Sequence, residues 1–122
     1  MREGRWSEMR VLICGDREWV DSTPIQHVFD RLDVTVCIHG GARGADSLAG
    51  REAALRGIPV EVYPADWRRY GKGAGPVRNQ QMLDEGKPEY VVAFHSDMRR
   101  SRGTADMIRR AEAAGIPVQV IV

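Results

Sequence analysis

The stretch Val34-Thr-Val-Cys-Ile-His-Gly-Gly-Ala-Arg-Gly-Ala-Asp46 decides the fold. Val34 to Ile38 is a short apolar run rich in β-branched residues, which reads as a buried strand. Gly40, Gly41 and Gly44 break it, and a helix over 45–56 follows, closed by Gly57, where a left-handed C-terminal cap is expected. The same device returns near the end of the chain. Ala42-Arg-Gly-Ala-Asp46 leads through a helix to Gly57-Ile-Pro-Val60, and Ser101-Arg-Gly-Thr-Ala-Asp106 leads through a helix to Gly115-Ile-Pro-Val118. Neither unit can bury a core alone, so the echo marks two equivalent halves of one sheet.

Outward from this pair, Met9-Arg-Val-Leu-Ile-Cys14, Val60-Glu-Val-Tyr63, Tyr90-Val-Val-Ala-Phe94 and Val118-Gln-Val-Ile-Val122 bring the strands to five. Ser22-Thr-Pro24 supplies cap residues and a proline suited to a first helical turn; Ile25, Val28, Phe29 and Leu32 then fall on one helical face. Helices are also expected over 76–85 and 104–114. Strands alternating with helices of this length predict an α/β domain over 9–122, a doubly wound sheet of five mainly parallel strands. Residues 1–8 match no element and are expected to form a flexible leader.

Composition narrows the function classes. A chain of 122 residues, 43% hydrophobic and 29% charged, suits one domain with a modest core. Lys and Arg number 18 against 17 Asp and Glu, a net charge of +1, so there is no global basic field to recruit nucleic acid or an anionic membrane. No apolar run approaches the ~18 residues of a membrane span, and the expectation is a soluble, cytoplasmic protein. Cys14 and Cys37 each sit in an apolar run, as reduced core residues do; no His pair has metal-ligand spacing, and no metal site or cofactor is expected.

In an open parallel sheet, ligands bind beyond the carboxyl ends of the strands, where the strand order reverses. Nine of the 18 cations fall in the loops leaving those ends or at the helix starts they feed: Arg17, Arg43, Arg68, Arg69, Lys72, Arg78, Arg99, Arg100 and Arg102. Codon bias explains an arginine excess over Lys72 and Lys87, but not this placement. Gly40-Gly-Ala-Arg-Gly44 before a helix has the free backbone N–H groups that cradle phosphate, although it is neither a Walker loop nor the usual dinucleotide fingerprint. Ser101-Arg-Gly-Thr104 offers a second such N-terminus.

Val11-Leu-Ile-Cys-Gly-Asp-Arg-Glu-Trp19, Gly40-Gly-Ala-Arg-Gly-Ala-Asp46, Pro64-Ala-Asp-Trp67, Ala74-Gly-Pro-Val-Arg-Asn-Gln-Gln-Met82 and Ser101-Arg-Gly-Thr104 together resemble the YspA-type branch of the SLOG superfamily, which includes the LOG phosphoribohydrolases and the DprA/Smf proteins. The resemblance implies a Rossmann-like fold and a site for nucleotides or their derivatives. In LOG enzymes a Gly-Gly-x-Gly-Thr-x-x-Glu motif holds the phosphate, and its glutamate takes part in cleaving base from ribose. Gly103-Thr104 match it, but Met107 stands at the glutamate position. Arg78 resembles the second functional position of those enzymes.

The reading is therefore a nucleotide-binding or sensing module using Gly15, Arg17, Gly40, Gly41, Arg43, Gly44, Asp46, Arg78, Asn79, Ser101, Arg102, Gly103 and Thr104. One alternative is an N-glycosidase of nucleoside 5′-monophosphates, with Asp66 or Asp106 replacing the missing glutamate. Another is single-stranded DNA binding in the manner of DprA, which the charge balance disfavours. Asp16 and Glu18 can meet ribose hydroxyls or simply solvate a loop. His39 and His95 can be acid–base groups or structural contacts, and Trp67 and Tyr70 can stack on a base or anchor a loop. The resemblance also suggests a homodimer, for which Met82, Met98 and Met107 offer adaptable surface.

Overall fold

The computed structural model describes residues 9–97 and 101–122. The expected leader, and with it Met98, Arg99 and Arg100, lies outside the described residues. Five strands, β1 (Arg10–Gly15), β2 (Val36–His39), β3 (Val60–Val62), β4 (Tyr90–Phe94) and β5 (Val118–Ile121), alternate with α1 (Thr23–Arg31), α2 (Ala45–Leu55), α3 (Trp67–Tyr70), α4 (Ala74–Gly86) and α5 (Arg102–Ala113). The strands form one sheet in the order β3-β2-β1-β4-β5, parallel at every pairing. The expected doubly wound α/β architecture is the one observed.

Side chains alternate across β1, so Val11 and Ile13 join the α1–α2 layer while Leu12 and Cys14 join the α4–α5 layer. In the first layer Ile25, Val28 and Phe29 of α1 and Ala45, Ala49 and Ala53 of α2 are buried. The three alanines, four residues apart, let α2 lie close to the sheet. The second layer is built from Met82, Leu83, Met107 and Ala111 against Ile38, Val91 and Ala93. Met82 and Met107, expected on an adaptable surface, are instead 2% and 1% exposed core residues. Their helical positions face the sheet, and an unbranched thioether fills such gaps well.

Both Gly-Ile-Pro-Val returns have the expected geometry. Gly57 (φ 70°) and Gly115 (φ 76°) take the left-handed conformation just past α2 and α5. Ile58 N–H donates to Ala53 O at 2.8 Å and Ile116 N–H to Ala111 O at 2.9 Å, the six-to-one bond of a Schellman ending. The long third loop departs from expectation. It contains the short helix α3, with the Asp66 carboxylate accepting Arg69 N–H at 3.1 Å, then a 3₁₀ turn over Gly71–Gly73. Helix α4 consequently starts two residues before the proline at position 76.

Candidate functional site

The order of strands reverses between β1 and β4, and the loops leaving these strands diverge there to open a crevice of about 720 Å³. Its floor is Cys14, Gly15 and His95; its walls come from Asp16–Glu18, from Ser96 and Asp97, and from the first turn of α5. Asp16 N–H donates to Phe94 O at 2.9 Å, extending the ladder one step past Gly15 and holding the two loops in register. Burial pushes the Cys14 thiol well above the ordinary thiol range, so this floor residue offers no nucleophilic thiolate at neutral pH.

The glycine loop after β2 forms an anion cradle, and the chain itself fills it. Asp46, in the first turn of α2, accepts Gly40 N–H at 2.8 Å and Ala42 N–H at 3.4 Å through one carboxylate oxygen. Ala45 N–H donates to Asp16 O at 3.1 Å, and a Cβ at Gly44 would collide with the Asp16 carbonyl and the Arg17 backbone. The N-terminus of α2 is thus capped from outside by the loop after β1 and from within by Asp46. Burial raises the Asp46 carboxyl to about 6, although the two amides and the nearby Arg78 and Arg17 pull the other way.

The first turn of α5 is open. Ser101 caps it by accepting Thr104 N–H at 3.2 Å through its hydroxyl, and a Cβ at Gly103 would meet nothing within 4 Å. Arg102 belongs to this turn, and Arg17 lines the same crevice. An anion placed here would meet helix amides and the positive end of the dipole, with two arginines lining the same crevice.

Two consecutive residues of α4 join the halves of the crevice. Arg78 Nη1 donates to Gly40 O at 2.6 Å and to Tyr63 O at 3.4 Å, clasping the ends of β2 and β3. Asn79, 4% exposed, donates through Nδ2 to Gly103 O at 3.2 Å and to Asp106 Oδ2 at 3.0 Å, which positions the start of α5.

Of the residues selected from the sequence, Gly15, Arg17, Asp46, Arg78, Asn79, Ser101, Arg102, Gly103 and Thr104 line this crevice, while Gly40, Gly41, Arg43 and Gly44 do not. Arg43 turns outward to pair with Glu18 at 2.8 Å, both side chains being largely exposed. Neither Asp66 nor Asp106 lines the crevice: Asp66 caps α3, and Asp106 is held by Asn79, Arg109 and Arg110, whose bonds pull its carboxyl below the ordinary range against the effect of burial. His39 is a structural contact. Its Nδ1 accepts Gly41 N–H at 3.0 Å, its ring packs against Gly50, and burial lowers its pKa. Among the described residues no group of three or more His, Cys, Asp or Glu is arranged to hold a metal, and no helix is long and apolar enough to cross a membrane. The feature sequence reasoning missed is the opposition of Asp16 and His95 across the crevice floor. Both follow strands that flank the order reversal, and that placement was the available signal.

A crevice at the switch point of a five-stranded parallel sheet defines a class of α/β fold, and comparison with known proteins places the chain within it. Residues 9–70 match the family described as "YAcAr: YspA, cpYpsA-related SLOG family". The chain is 41% identical over 119 residues to Gene 61 protein of Mycobacterium phage D29, an alignment covering 89% of this chain and 93% of that protein. It belongs to the YspA, cpYpsA-related SLOG family. Among solved structures, DNA processing protein A (DprA) from Streptococcus pneumoniae matches with a TM-score of 0.67 at 23% identity, over 94% of this chain and 50% of that one. That likeness shows a shared fold, and the chain spans half the length of the DprA chain.

Proposed function

We propose that the protein binds a nucleotide or nucleotide-derived ligand in the crevice between the β1 and β4 loops, as a binding or sensing module without fast turnover. The observation that carries this reading is the open α5 N-terminus in a crevice lined by Arg17 and Arg102, beside a glycine loop already filled by Asp46. The phosphate sits on the first turn of α5, and the remainder of the ligand lies along the crevice floor toward Asp16 and His95. At the position where LOG enzymes carry their glutamate, Met107 is buried in the core and can neither activate water nor stabilise a cationic sugar centre. We also propose a homodimer, for which the exposed Trp67, Tyr70 and Val77 supply apolar surface.

A thermal-shift screen against nucleoside monophosphates, NAD, ADP-ribose and cyclic nucleotides tests the reading, since a ligand at ~100 times its Kd stabilises the native state by about 2.7 kcal/mol. At least one compound should raise the melting temperature by several degrees. Failure of all of them, combined with single-stranded DNA binding that falls steeply with salt, would replace this reading by the nucleic-acid one.

A further inference from the structure

We infer that Asp16 and His95 form a hydroxyl-recognition pair that makes the crevice selective for a ribonucleotide over its deoxy counterpart. The inference rests on the nucleotide reading above and adds the sugar to it.

His95 is buried at the end of β4, with 4% of its surface exposed, and its ring is fixed by one hydrogen bond: Nδ1 accepts Asp97 N–H at 2.9 Å. A ring nitrogen that accepts carries no proton, so in the neutral imidazole the proton is on Nε2. Nε2 lies 4.0 Å from Asp16 Oδ2, beyond hydrogen-bond length. Among the described residues no sealed side-chain polar atom lacks a partner, so this N–H opens on the crevice that His95 lines.

Asp16 is fixed as well. Its other oxygen, Oδ1, accepts Glu18 N–H at 2.8 Å, and its backbone is held at both sides, by Phe94 O below and by Ala45 N–H above. The floor therefore presents a stationary donor and a stationary acceptor with a 4.0 Å gap between them.

A group that fits this gap must accept from Nε2–H and donate to the carboxylate. A hydroxyl oxygen at ordinary hydrogen-bond length, about 2.8 Å, from each atom spans it with an angle of about 90°, compressed from the tetrahedral value but within the breadth of hydrogen-bond geometry. A phosphate oxygen cannot donate, and the carboxylate repels it; a purine or pyrimidine ring edge offers donor and acceptor on separate atoms. A sugar hydroxyl combines both on one atom. The pair also shares its crevice with the α5 N-terminus, so one ligand with a phosphate and a hydroxylated sugar engages both ends. A binding site built around a substrate hydroxyl discriminates strongly against the analogue lacking it, because the site's own polar groups are then left without partners.

The test titrates the full chain with AMP, GMP, CMP and UMP, and with the 2′-deoxy and 3′-deoxy forms of each, by calorimetry. The expected result is that a bound ribonucleotide loses at least tenfold in affinity when one of these hydroxyls is removed. Asp16→Asn and His95→Asn should both collapse the ratio toward one. The second keeps an acceptor for the Asp97 amide while deleting Nε2–H, so it separates recognition from support of the loop. Nucleotides that bind equally well with and without either hydroxyl overturn the inference and leave the nucleotide reading standing, as does a preference that survives in both variants. Absence of binding by every nucleotide overturns the reading beneath it. If one variant fails to fold, the other decides, and a preference that survives in it overturns the inference.

Discussion

The carboxylate of Asp46 accepts the backbone N–H of Gly40 at 2.8 Å across the turn that joins β2 to α2. An internal carboxylate thereby occupies the glycine loop that a phosphate would otherwise fill, and its charge is carried at the edge of the core. Because burial raises its pKa to about 6, the protonated form is favoured in the native state relative to the unfolded chain. The stability that this group contributes is complete below the ordinary Asp range and is lost as pH rises through about 6.

Asp46→Asn removes the buried charge and keeps an acceptor for Gly40. Wild-type stability should fall relative to the variant as pH rises from 4 to 7, by up to about 3 kcal/mol. Urea denaturation of both proteins across this interval measures the difference, and parallel curves would contradict the assignment.

Arg78→Ala deletes the clasp on the Gly40 and Tyr63 carbonyls. A charge-assisted bond of this kind contributes about 1.5–3 kcal/mol, and the variant should lose that much stability by chemical denaturation. Gly40→Ala should cost a similar amount by a different route, since its methyl would collide with the Arg78 guanidinium. The double variant should then cost less than the sum of the two.

Arginine substitutions should separate the two helix ends. Arg102→Ala and Arg17→Ala should each weaken nucleotide binding by about 1.5–3 kcal/mol with little change in melting temperature. Arg43→Ala should change binding by less than about 1 kcal/mol, because its pairing with Glu18 is solvent-exposed and Arg43 itself does not line the crevice. Equal losses at Arg43 and Arg102 would place the anion on α2 instead.

Incubation with AMP, GMP, CMP or UMP should yield no rapid release of free base by chromatography. A rate near the enzyme median of ~10 per second would overturn the binding-module reading. Should slow release occur, Asp66→Asn and Asp106→Asn identify whether either carboxylate supports it.

Light scattering at micromolar concentration should give the mass of a dimer, and the double substitution Trp67→Ala with Tyr70→Ala should shift it toward monomer. A wild-type monomer mass would remove the homodimer from the proposal.

The architecture was legible because its signals are local: β-branched runs, glycine stops and the repeated Gly-Ile-Pro-Val return each specify one element. The arginine placement likewise pointed to the edge of the sheet where the crevice opens. Tertiary pairing was not legible. In the sequence Asp46 reads as a ligand-binding residue, and only the fold shows it turned back onto the Gly40 amide. Arg43 and Arg102 occupy equivalent places in the two Arg-Gly loops, yet Glu18 lies beside one and not the other. The α3 turn escaped because four residues are too few for a helical period, and its start depends on one side-chain bond from Asp66.

Arg78 and Asn79 are neighbours on one helix, and successive helical residues project about 100° apart. One turns to the carbonyls of the glycine loop and the other to the first turn of α5. Inserting or deleting a single residue between them would leave α4 a sound helix and yet swing one of these side chains out of reach. The crevice would then part along its length, with each wall intact and no joint between them. Spacing at this one peptide bond, as much as the chemistry of either side chain, joins two half-sheets around a single crevice.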